Sequence, residues 1–260
     1  MTNAAELNRW IPAKSMRLLR AGECRLLCFP YAGAGASIFR NWQEELPACI
    51  ELVPIQLPGR ESRWSDRSFS DLPALAETLV QVLRPLLSEP YALYGHSMGT
   101  LIAFELAREL RRREFPLPRH LFLSAARAPH VPDREPQVHH LPDVLLWKEV
   151  MREYSAAQDQ TPLNPELAPV LLPILRADFR MCESYQPPLE APLPIPITAY
   201  GGWQDRRVTY SDLAGWRGYT GEAFRMHLFP GGHFFPASNR AQFLKAFAGD
   251  LTPVAGLKKH

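Results

Sequence analysis

The sequence is poor in cysteine, and its four cysteines show no metal-binding spacing. Cys24 and Cys28 fall on one predicted strand, where their Cα atoms are too far apart to bridge, and Cys49 and Cys182 stand alone. We therefore expect reduced thiols buried in the core, and neither a metal site nor a disulfide framework.

Long hydrophobic runs are also missing. Nowhere do about 18 uncharged apolar residues follow one another, and residues 1–20 contain no apolar segment of signal-peptide length. These absences predict a soluble, cytoplasmic protein that does not bind membranes. Residues 1–22 are polar and mixed, and we expect an extended arm that Trp10 and Ile11 attach to the body.

The net charge is small, at +2, and no basic run is interleaved with aromatic residues. This composition argues against a nucleic-acid partner. With 260 residues, of which 46% are hydrophobic, the chain can bury a substantial core. We expect a single domain over residues 1–260.

What the sequence does contain is an alternation of short apolar runs with stretches of helical period. This alternation predicts βαβ units and therefore an α/β fold, with a mostly parallel central sheet flanked by helices. Pro54 places its strand at an edge or a bulge. The predicted strands are 24–29, 51–57, 91–94, 120–124, 195–200 and 224–229, and the predicted helices are 37–46, 72–83 behind the N-cap Asp71, 98–113, 210–216 and 237–247.

The alternation stops between residues 131 and 188. That block shows no strand pattern but two helical ones, Val144–Tyr154 and Glu166–Tyr185, separated by a polar loop. We interpret it as a helical insertion that forms a lid.

A nucleophile elbow is predicted at Gly95-His96-Ser97-Met98-Gly99. In a G-x-S-x-G turn the serine occupies a sharp strand-to-helix junction, and the flanking glycines leave room for the tight backbone. The β-prone run Tyr91–Tyr94 precedes this turn and a helical stretch follows it, as the motif requires. Ser97 is therefore the candidate nucleophile.

A serine nucleophile needs a histidine base and an acid that orients it, and on hydrolase folds with such an elbow these follow in the order serine, acid, histidine. Of the eight histidines, His233 stands directly after a predicted strand and is the candidate base. Asp205 follows another predicted strand and its Gly201-Gly202 turn, and is preferred to Asp212, which also lies downstream.

An acyl-transfer site also needs two backbone N–H groups to stabilise an oxyanion. Met98, directly after the nucleophile, is expected to supply one. The other should come from the loop Pro30–Ala36, at Ala32 or at its neighbour Tyr31. A phosphate-binding interpretation of this loop is poor, because it has neither a GxGxxG pattern nor a Gly-Lys-Ser/Thr ending.

Five contiguous motifs occur in the chain: CFPYAG at 28–33, QLPGRE at 56–61, YGHSMG at 94–99, LPILRADF at 172–179 and FPGGHFF at 229–235. Through these motifs, from about Arg25 to Phe247, the chain resembles the type II thioesterases, stand-alone α/β hydrolases that serve polyketide synthases and nonribosomal peptide synthetases. The resemblance implies that Ser97, Asp205 and His233 form the catalytic triad and supports Ala32 for the oxyanion hole. Ala34-Gly35 departs from the Gly-Ser common in the family.

The resemblance further implies the substrate and partner, namely an acyl group on the phosphopantetheine arm of an acyl or peptidyl carrier protein. No cofactor is implied, and we expect a monomer. Carrier proteins are typically acidic, so Arg60, Arg63 or Arg176 could form a basic rim that attracts them, or else could be held in internal ion pairs.

Other readings of the same residues remain open at this stage. The enzyme alternatives are a medium-chain acyl-carrier hydrolase of fatty acid synthesis and a general carboxylesterase, and a catalytically silent binding protein is a third possibility. The apolar lid residues either line an acyl channel or pack the lid onto the body; they include Leu145, Leu146, Val150, Leu171, Leu175 and Phe179.

Overall fold

A computed structural model of the chain describes residues 4–12, 18–155 and 165–256. Within them a single sheet contains six strands, every neighbouring pair of which is parallel, in the spatial order β2-β1-β3-β4-β5-β6. The mostly parallel α/β sheet predicted from the sequence is confirmed. The strands are β1 Cys24–Phe29, β2 Ile50–Pro54, β3 Tyr91–His96, β4 Leu121–Ser124, β5 Ile197–Gly202 and β6 Phe224–Phe229.

Helices connect the strands and cover both faces of the sheet. Asp71 caps the second helix as predicted, because its side chain accepts a 2.8 Å hydrogen bond from the Ala74 N–H. The helices are α1 Ala4–Trp10, α2 Leu72–Leu83, α3 Met98–Arg112, α4 Asp143–Ser155, α5 Ala168–Glu183, α6 Tyr210–Ala214, α7 Phe235–Ser238 and α8 Arg240–Leu251.

The interior strand β1 shows why the apolar runs form buried parallel strands. All six of its residues are buried. Leu27 and Phe29 point to one hydrophobic cluster, while Leu26 and Cys28 point to a second one on the opposite face. A strand with apolar neighbours on both faces carries a continuous hydrophobic run. β2 lies at the sheet edge and ends at Pro54, where the sequence placed an edge strand.

Two predicted elements at the beginning of the chain were wrong. The segment 37–46 forms two short 3₁₀ helices, Ala36–Phe39 and Gln43–Glu45, because Asn41 has a φ of 64° and interrupts any continuous helix. The expected extended arm instead contains helix α1. Trp10 and Ile11 are nevertheless buried, at 1% and 3% exposure, so they do attach this segment to the body.

The C-terminal helix is also displaced from its predicted position. The sequence pattern suggested 237–247, whereas α8 begins only at Arg240. The short helix α7 precedes it, and the two are separated by Asn239, whose ψ of 42° is not helical.

Between β4 and β5 the described residues contain α4 and α5 but no strand. Leu146, Val150, Leu172 and Leu175 are buried in a small hydrophobic cluster that joins these two helices. Packing is therefore the role of most of the apolar residues in this segment, which we call the helical insertion (131–188). Most of the polar loop expected within it lies outside the described residues. No helix in residues 4–12, 18–155 and 165–256 is long and apolar enough to cross a bilayer.

Candidate active site

Ser97 lies at the junction of β3 and α3 in a strained backbone conformation, with a φ of 54° and a ψ of −115°. Such positive φ values are rare for residues other than glycine and cluster at functional sites. The flanking glycines are sterically required. A Cβ on Gly95 would lie 2.0 Å from the Gly99 carbonyl oxygen, and one on Gly99 would lie 2.1 Å from the Phe29 carbonyl oxygen. The elbow predicted from the sequence is present in the structure.

Hydrogen bonds from the neighbouring strand β4 hold the elbow in place. The Ser97 N–H donates to the Ser124 carbonyl at 2.7 Å. The buried Thr100 hydroxyl lies 2.8 Å from both the Gly95 and the Ser124 carbonyl oxygens. The backbone at Ser97 is thereby fixed from both sides, and its side chain projects beyond the sheet.

The structure brings Ser97, His233 and Asp205 together in a chain of hydrogen bonds. His233 Nε2 lies 2.9 Å from Ser97 Oγ, and His233 Nδ1 lies 2.9 Å from Asp205 Oδ2. Asp205 follows β5 and His233 follows β6, so all three groups meet where parallel strands end. A base within hydrogen-bond distance of a hydroxyl, itself oriented by a carboxylate, can activate that hydroxyl as a nucleophile.

The electrostatics of Asp205 favour the charged carboxylate. Burial by itself raises the pKa of Asp205. The charge attraction and the hydrogen bond of His233, together with the hydrogen bonds from the Arg207 and Val208 N–H groups, lower the pKa by more than burial raises it. The pKa therefore lies below the usual value for an aspartate. Asp205 is therefore ionised at neutral pH and can hold the Nδ1–H tautomer of His233.

Asp212, the other downstream acid, is engaged elsewhere. Its carboxylate accepts two hydrogen bonds from Arg134, at 2.7 and 2.9 Å, and a 2.8 Å bond from the Thr209 N–H in the capping box of α6. The geometry thus separates the two candidate acids, since it is the Asp205 carboxylate that accepts the hydrogen bond from His233 Nδ1–H.

His96 lies beside the elbow but serves another contact. Its Nδ1 is 2.9 Å from Ser124 Oγ, and its ring centroid is 5.6 Å from that of His233. Burial and, next, repulsion from His233 lower the pKa of His96 to about 3. His96 is therefore neutral and adds no charge beside the triad.

A cavity of about 120 Å³ opens at Ser97. Ala32, Met98 and His233 all line it, so the two residues expected to provide the oxyanion N–H groups flank the same space as the hydroxyl and the imidazole. The helical insertion closes one side through Phe179, Cys182, Glu183 and Tyr185. Phe179 is thus a lining residue, unlike the packed leucines of its helix. Burial raises the pKa of the Cys182 thiol strongly, which leaves it protonated.

The three arginines considered for a basic rim are all held in internal ion pairs. Arg60 is 5% exposed and pairs with the buried Asp178, while Arg63 is 7% exposed and pairs with Asp66. Arg176 hydrogen-bonds the Leu141 carbonyl at 2.8 Å and pairs with Asp143 at 2.6 Å rather than with its near neighbour Asp178. Of the two alternatives that the sequence offered for these residues, the structure therefore has the internal ion pair.

Three residues without a role in the sequence analysis hold the loop that carries Ala32 and the residue that follows it. Asp178, Gln56 and Glu61 accept hydrogen bonds from the backbone N–H groups of Gly33, Ala36 and Ser37, respectively. All three belong to motifs that carried the family resemblance, and that was the available signal. In the described residues no group of three or more His, Cys, Asp or Glu side chains is arranged to hold a metal ion.

Comparison with known proteins shows what the chain as a whole is similar to. The sequence matches the thioesterase domain family over residues 24–251. A Brevibacillus parabrevis protein named linear gramicidin dehydrogenase LgrE is 41% identical over 246 residues, which cover 94% of this chain and 93% of the relative.

Two solved structures are similar over nearly their whole length. RedJ, a thioesterase from the prodiginine biosynthetic pathway of Streptomyces coelicolor, is 38% identical with a TM-score of 0.81, covering 96% of this chain and 97% of its own. BorB, a type II thioesterase from the borrelidin biosynthetic cluster, is 32% identical with a TM-score of 0.83, covering 94% and 98%. The likeness therefore includes the insertion as well as the sheet.

Proposed function

The chain belongs to the thioesterase family, as a serine hydrolase of thioesters with the α/β-hydrolase fold, and from that premise we propose that Ser97, His233 and Asp205 are its catalytic triad. We further propose that it is a stand-alone type II thioesterase that removes acyl groups from the phosphopantetheine arm of acyl or peptidyl carrier proteins. The observation that carries this proposal is the continuous hydrogen-bond chain from Ser97 through His233 to Asp205.

In the first step His233 Nε2 takes the proton of Ser97 Oγ as the oxygen attacks the thioester carbonyl carbon. The N–H groups of Met98 and Ala32 stabilise the oxyanion of the tetrahedral intermediate. The carbon–sulfur bond then breaks, and the imidazolium returns its proton to the leaving sulfur, which releases the pantetheine thiol. Asp205 remains ionised throughout and stabilises the imidazolium.

In the second step water replaces the thiol. His233 takes a proton from the water molecule, which attacks the acyl-Ser97 ester through the same oxyanion site. Collapse of the intermediate breaks the ester bond, and the proton on His233 passes to Ser97 Oγ. The products are the free acid and the regenerated hydroxyl, so the reaction consumes one water molecule and no other reactant.

The size of the cavity supports a short acyl group. About 120 Å³ is somewhat less than the roughly 150 Å³ of an apolar cavity known to hold benzene. A short acyl group of about six heavy atoms fits against Ser97 in that space, and a longer one would extend toward solvent, because the cavity is open on one side. The similarity to RedJ and BorB, from the prodiginine pathway and the borrelidin cluster, makes a medium-chain hydrolase of fatty acid synthesis the less favoured alternative.

The name of the Brevibacillus relative would suggest hydride transfer instead. The glycine-rich loop Pro30–Ala36 of this chain lacks the GxGxxG pattern that binds dinucleotides, and it lies beside a serine that has its base in hydrogen-bond contact. Thioester hydrolysis is therefore the activity that we propose here.

We also propose that residues 1–260 form one domain in which the helical insertion acts as a lid, since it provides one wall of the cavity at Ser97. The protein is proposed to act as a cytoplasmic monomer. A sedimentation velocity measurement tests the monomer: a single species near 29.5 kDa is expected, and a stable dimer would contradict it.

The decisive test compares the same short acyl group on a holo carrier protein and on a simple oxygen ester, with Ser97→Ala as the blank. We expect a strong preference for the carrier-bound thioester and no turnover by the variant. Equal or faster ester cleavage would indicate a general carboxylesterase. Undiminished hydrolysis by a folded Ser97→Ala variant would refute the triad assignment, and no activity of the wild type on either substrate would indicate a silent binding protein.

A further inference from the structure

The loop Pro30–Ala36, which contains Ala32, is held by a side chain of the helical insertion. The Gly33 N–H donates a 2.7 Å hydrogen bond to Asp178 Oδ2, and Asp178 belongs to helix α5. Asp178 is 1% exposed. A residue 145 positions away in the sequence therefore reaches into the loop through a buried, charge-assisted hydrogen bond.

Arg60 completes this arrangement from the opposite direction. Its guanidinium binds both Asp178 oxygens, at 2.7 and 2.8 Å, and its Nη1 also lies 3.3 Å from the Ala34 carbonyl oxygen. The ion pair thus contacts the loop twice. The Asp178 carboxylate accepts from the Gly33 N–H, and the Arg60 guanidinium donates to the Ala34 carbonyl. The remaining carboxylate and guanidinium contacts keep both buried charges satisfied.

These contacts control the peptide next to the proposed oxyanion site. The N–H of Gly33 belongs to the peptide unit that begins at the Ala32 carbonyl, so a bond at Gly33 restrains the rotation of the backbone at Ala32. Gly33 itself has a φ of 78°, and the turn is closed by a 3.1 Å bond from the Ala34 N–H to the Tyr31 carbonyl. Without an outside anchor, such a glycine-rich turn has many conformations available.

We propose that Asp178, held by Arg60, is a positioning residue that orients the Ala32 N–H for the oxyanion. The geometry of the oxyanion hole then depends on the position of helix α5. This inference rests on the proposed function, because it assumes that Ala32 stabilises the oxyanion. A contribution to folding stability does not explain why a buried ion pair is present here, since such pairs can often be replaced by apolar residues without loss of stability. Control of the loop geometry does explain it.

The first test measures Asp178→Asn against the wild type with the carrier-bound thioester and with an alkylboronic acid. The boronic acid forms a tetrahedral adduct on Ser97 Oγ and places an oxygen where the oxyanion develops. We expect kcat to fall roughly 10- to 100-fold with KM changed less than about threefold, and boronate affinity to fall by a factor similar to that of kcat. A merely structural role would lower the melting temperature and leave both kcat and boronate affinity unchanged.

The matched control is Glu51→Gln. It disturbs another buried arginine pair, because Glu51 lies 2.8 Å from Arg25 Nε and Arg25 is 2% exposed. That pair is at the beginning of β1 and β2, the end of the sheet opposite to the triad. Glu51→Gln is expected to lower the melting temperature while kcat and boronate affinity stay at wild-type values.

A double variant separates positioning from folding. Arg60→Met combined with Asp178→Leu replaces the ion pair with apolar side chains, and is expected to fold while still losing kcat and boronate affinity. Wild-type kcat and boronate affinity in the folded double variant would overturn the proposal.

A measurement on the wild-type protein is independent of how the variants fold. The Gly33 N–H is expected to exchange with solvent at least about 100-fold more slowly than an unstructured amide, and free exchange would overturn the proposal. If Ser97→Ala retains activity, the proposed function itself fails. If Ser97 is essential but the folded Asp178 variants keep full kcat, only the positioning role fails.

Discussion

Ser97 combines a strained backbone with rigid support from its neighbours. Its φ of 54° is costly for a serine, so the conformation persists only because the surroundings determine it. The Ser124 carbonyl holds the Ser97 N–H, and the two flanking glycines leave room for the tight turn. The nucleophile is therefore presented before any substrate binds, and the cost of ordering it is met during folding.

A pair of substitutions can identify which aspartate is the acid of the triad. Asp205→Asn is expected to lower kcat by about 10⁴-fold, because an amide cannot hold the correct tautomer of His233. Steady-state hydrolysis of the carrier-bound thioester measures the change.

The matched control is Asp212→Asn, which removes charge from the ion pair with Arg134 and from the cap of α6. It is expected to cost stability but to leave kcat within about threefold of wild type. A larger loss of kcat in the Asp212 variant than in the Asp205 variant would reverse the assignment.

The elbow glycines provide a second residue-scale prediction. Gly99→Ala is expected to destabilise the protein by about 3 kcal/mol or more, because the new Cβ would lie 2.1 Å from a backbone oxygen of β1 that cannot move freely. Gly218→Ala is the control, since a Cβ there meets nothing within 4 Å. Urea unfolding of the two variants is the measurement, and equal midpoints would contradict the steric argument.

At the scale of elements, helix α3 is connected to the segment that leads from the insertion back into the sheet. Glu190 lies 2.8 Å from Arg108, 2.5 Å from Arg111 and 3.0 Å from Arg112. The elbow helix and the segment that follows the insertion are thereby joined through one carboxylate. Helix α5 makes a similar connection, because its Asp178 contacts the loop that contains Ala32.

The Glu190 network predicts a pH dependence of stability. Burial raises the pKa of Glu190, but hydrogen bonds from Arg111, Arg108 and Arg112 outweigh it and lower the pKa to about 2. A carboxyl whose folded pKa is depressed stabilises the fold above its unfolded pKa of about 4.3, and this contribution is lost as the pH falls through about 2.

Glu190→Gln should therefore lower the free energy of unfolding by about 1 kcal/mol at pH 7, a value reduced for the partial exposure of the network. The difference from wild type should shrink steadily below about pH 4.3. Denaturant melts between pH 2.5 and 7 measure it, with the exposed Glu222→Gln as control. A difference that is independent of pH would contradict the network.

At the scale of the whole molecule, the N-terminal helix fastens the loop that follows β2. The Gln56 N–H donates to the Trp10 carbonyl at 2.7 Å, and the Arg63 guanidinium lies 4.1 Å from the centre of the Trp10 ring. Gln56 in turn accepts the Ala36 N–H at 3.1 Å. A terminal segment, a distant loop and the edge of the active-site loop thus form one connected body.

Trp10→Ala is accordingly expected to cost roughly 3–5 kcal/mol of unfolding free energy, because it opens a large cavity under α1. Trp64→Ala, at a tryptophan that is 57% exposed, should cost less than about 1 kcal/mol. Urea unfolding compares the two. A small effect of Trp10→Ala would show that α1 is only loosely attached.

Local patterns in the sequence were enough to predict the parallel sheet, the elbow at Ser97 and the positions of Asp205 and His233 after their strands. Each of these features depends on a short stretch of sequence, namely an apolar run, a glycine pattern or a strand end. Parallel strands then bring their ends to one edge of the sheet. The family resemblance was recognisable for the same reason, since its motifs are contiguous.

The pairing of charged groups, in contrast, is visible only in the folded chain. Arg60 meets Asp178 across 118 residues, although Arg176 is the nearer basic residue to Asp178 in the sequence. The left-handed backbone of Asn41, which replaces a predicted helix by two short turns, likewise depends on how that segment fits against the sheet. Partner choice between distant side chains is set by packing and burial, and neither has a local pattern in the chain.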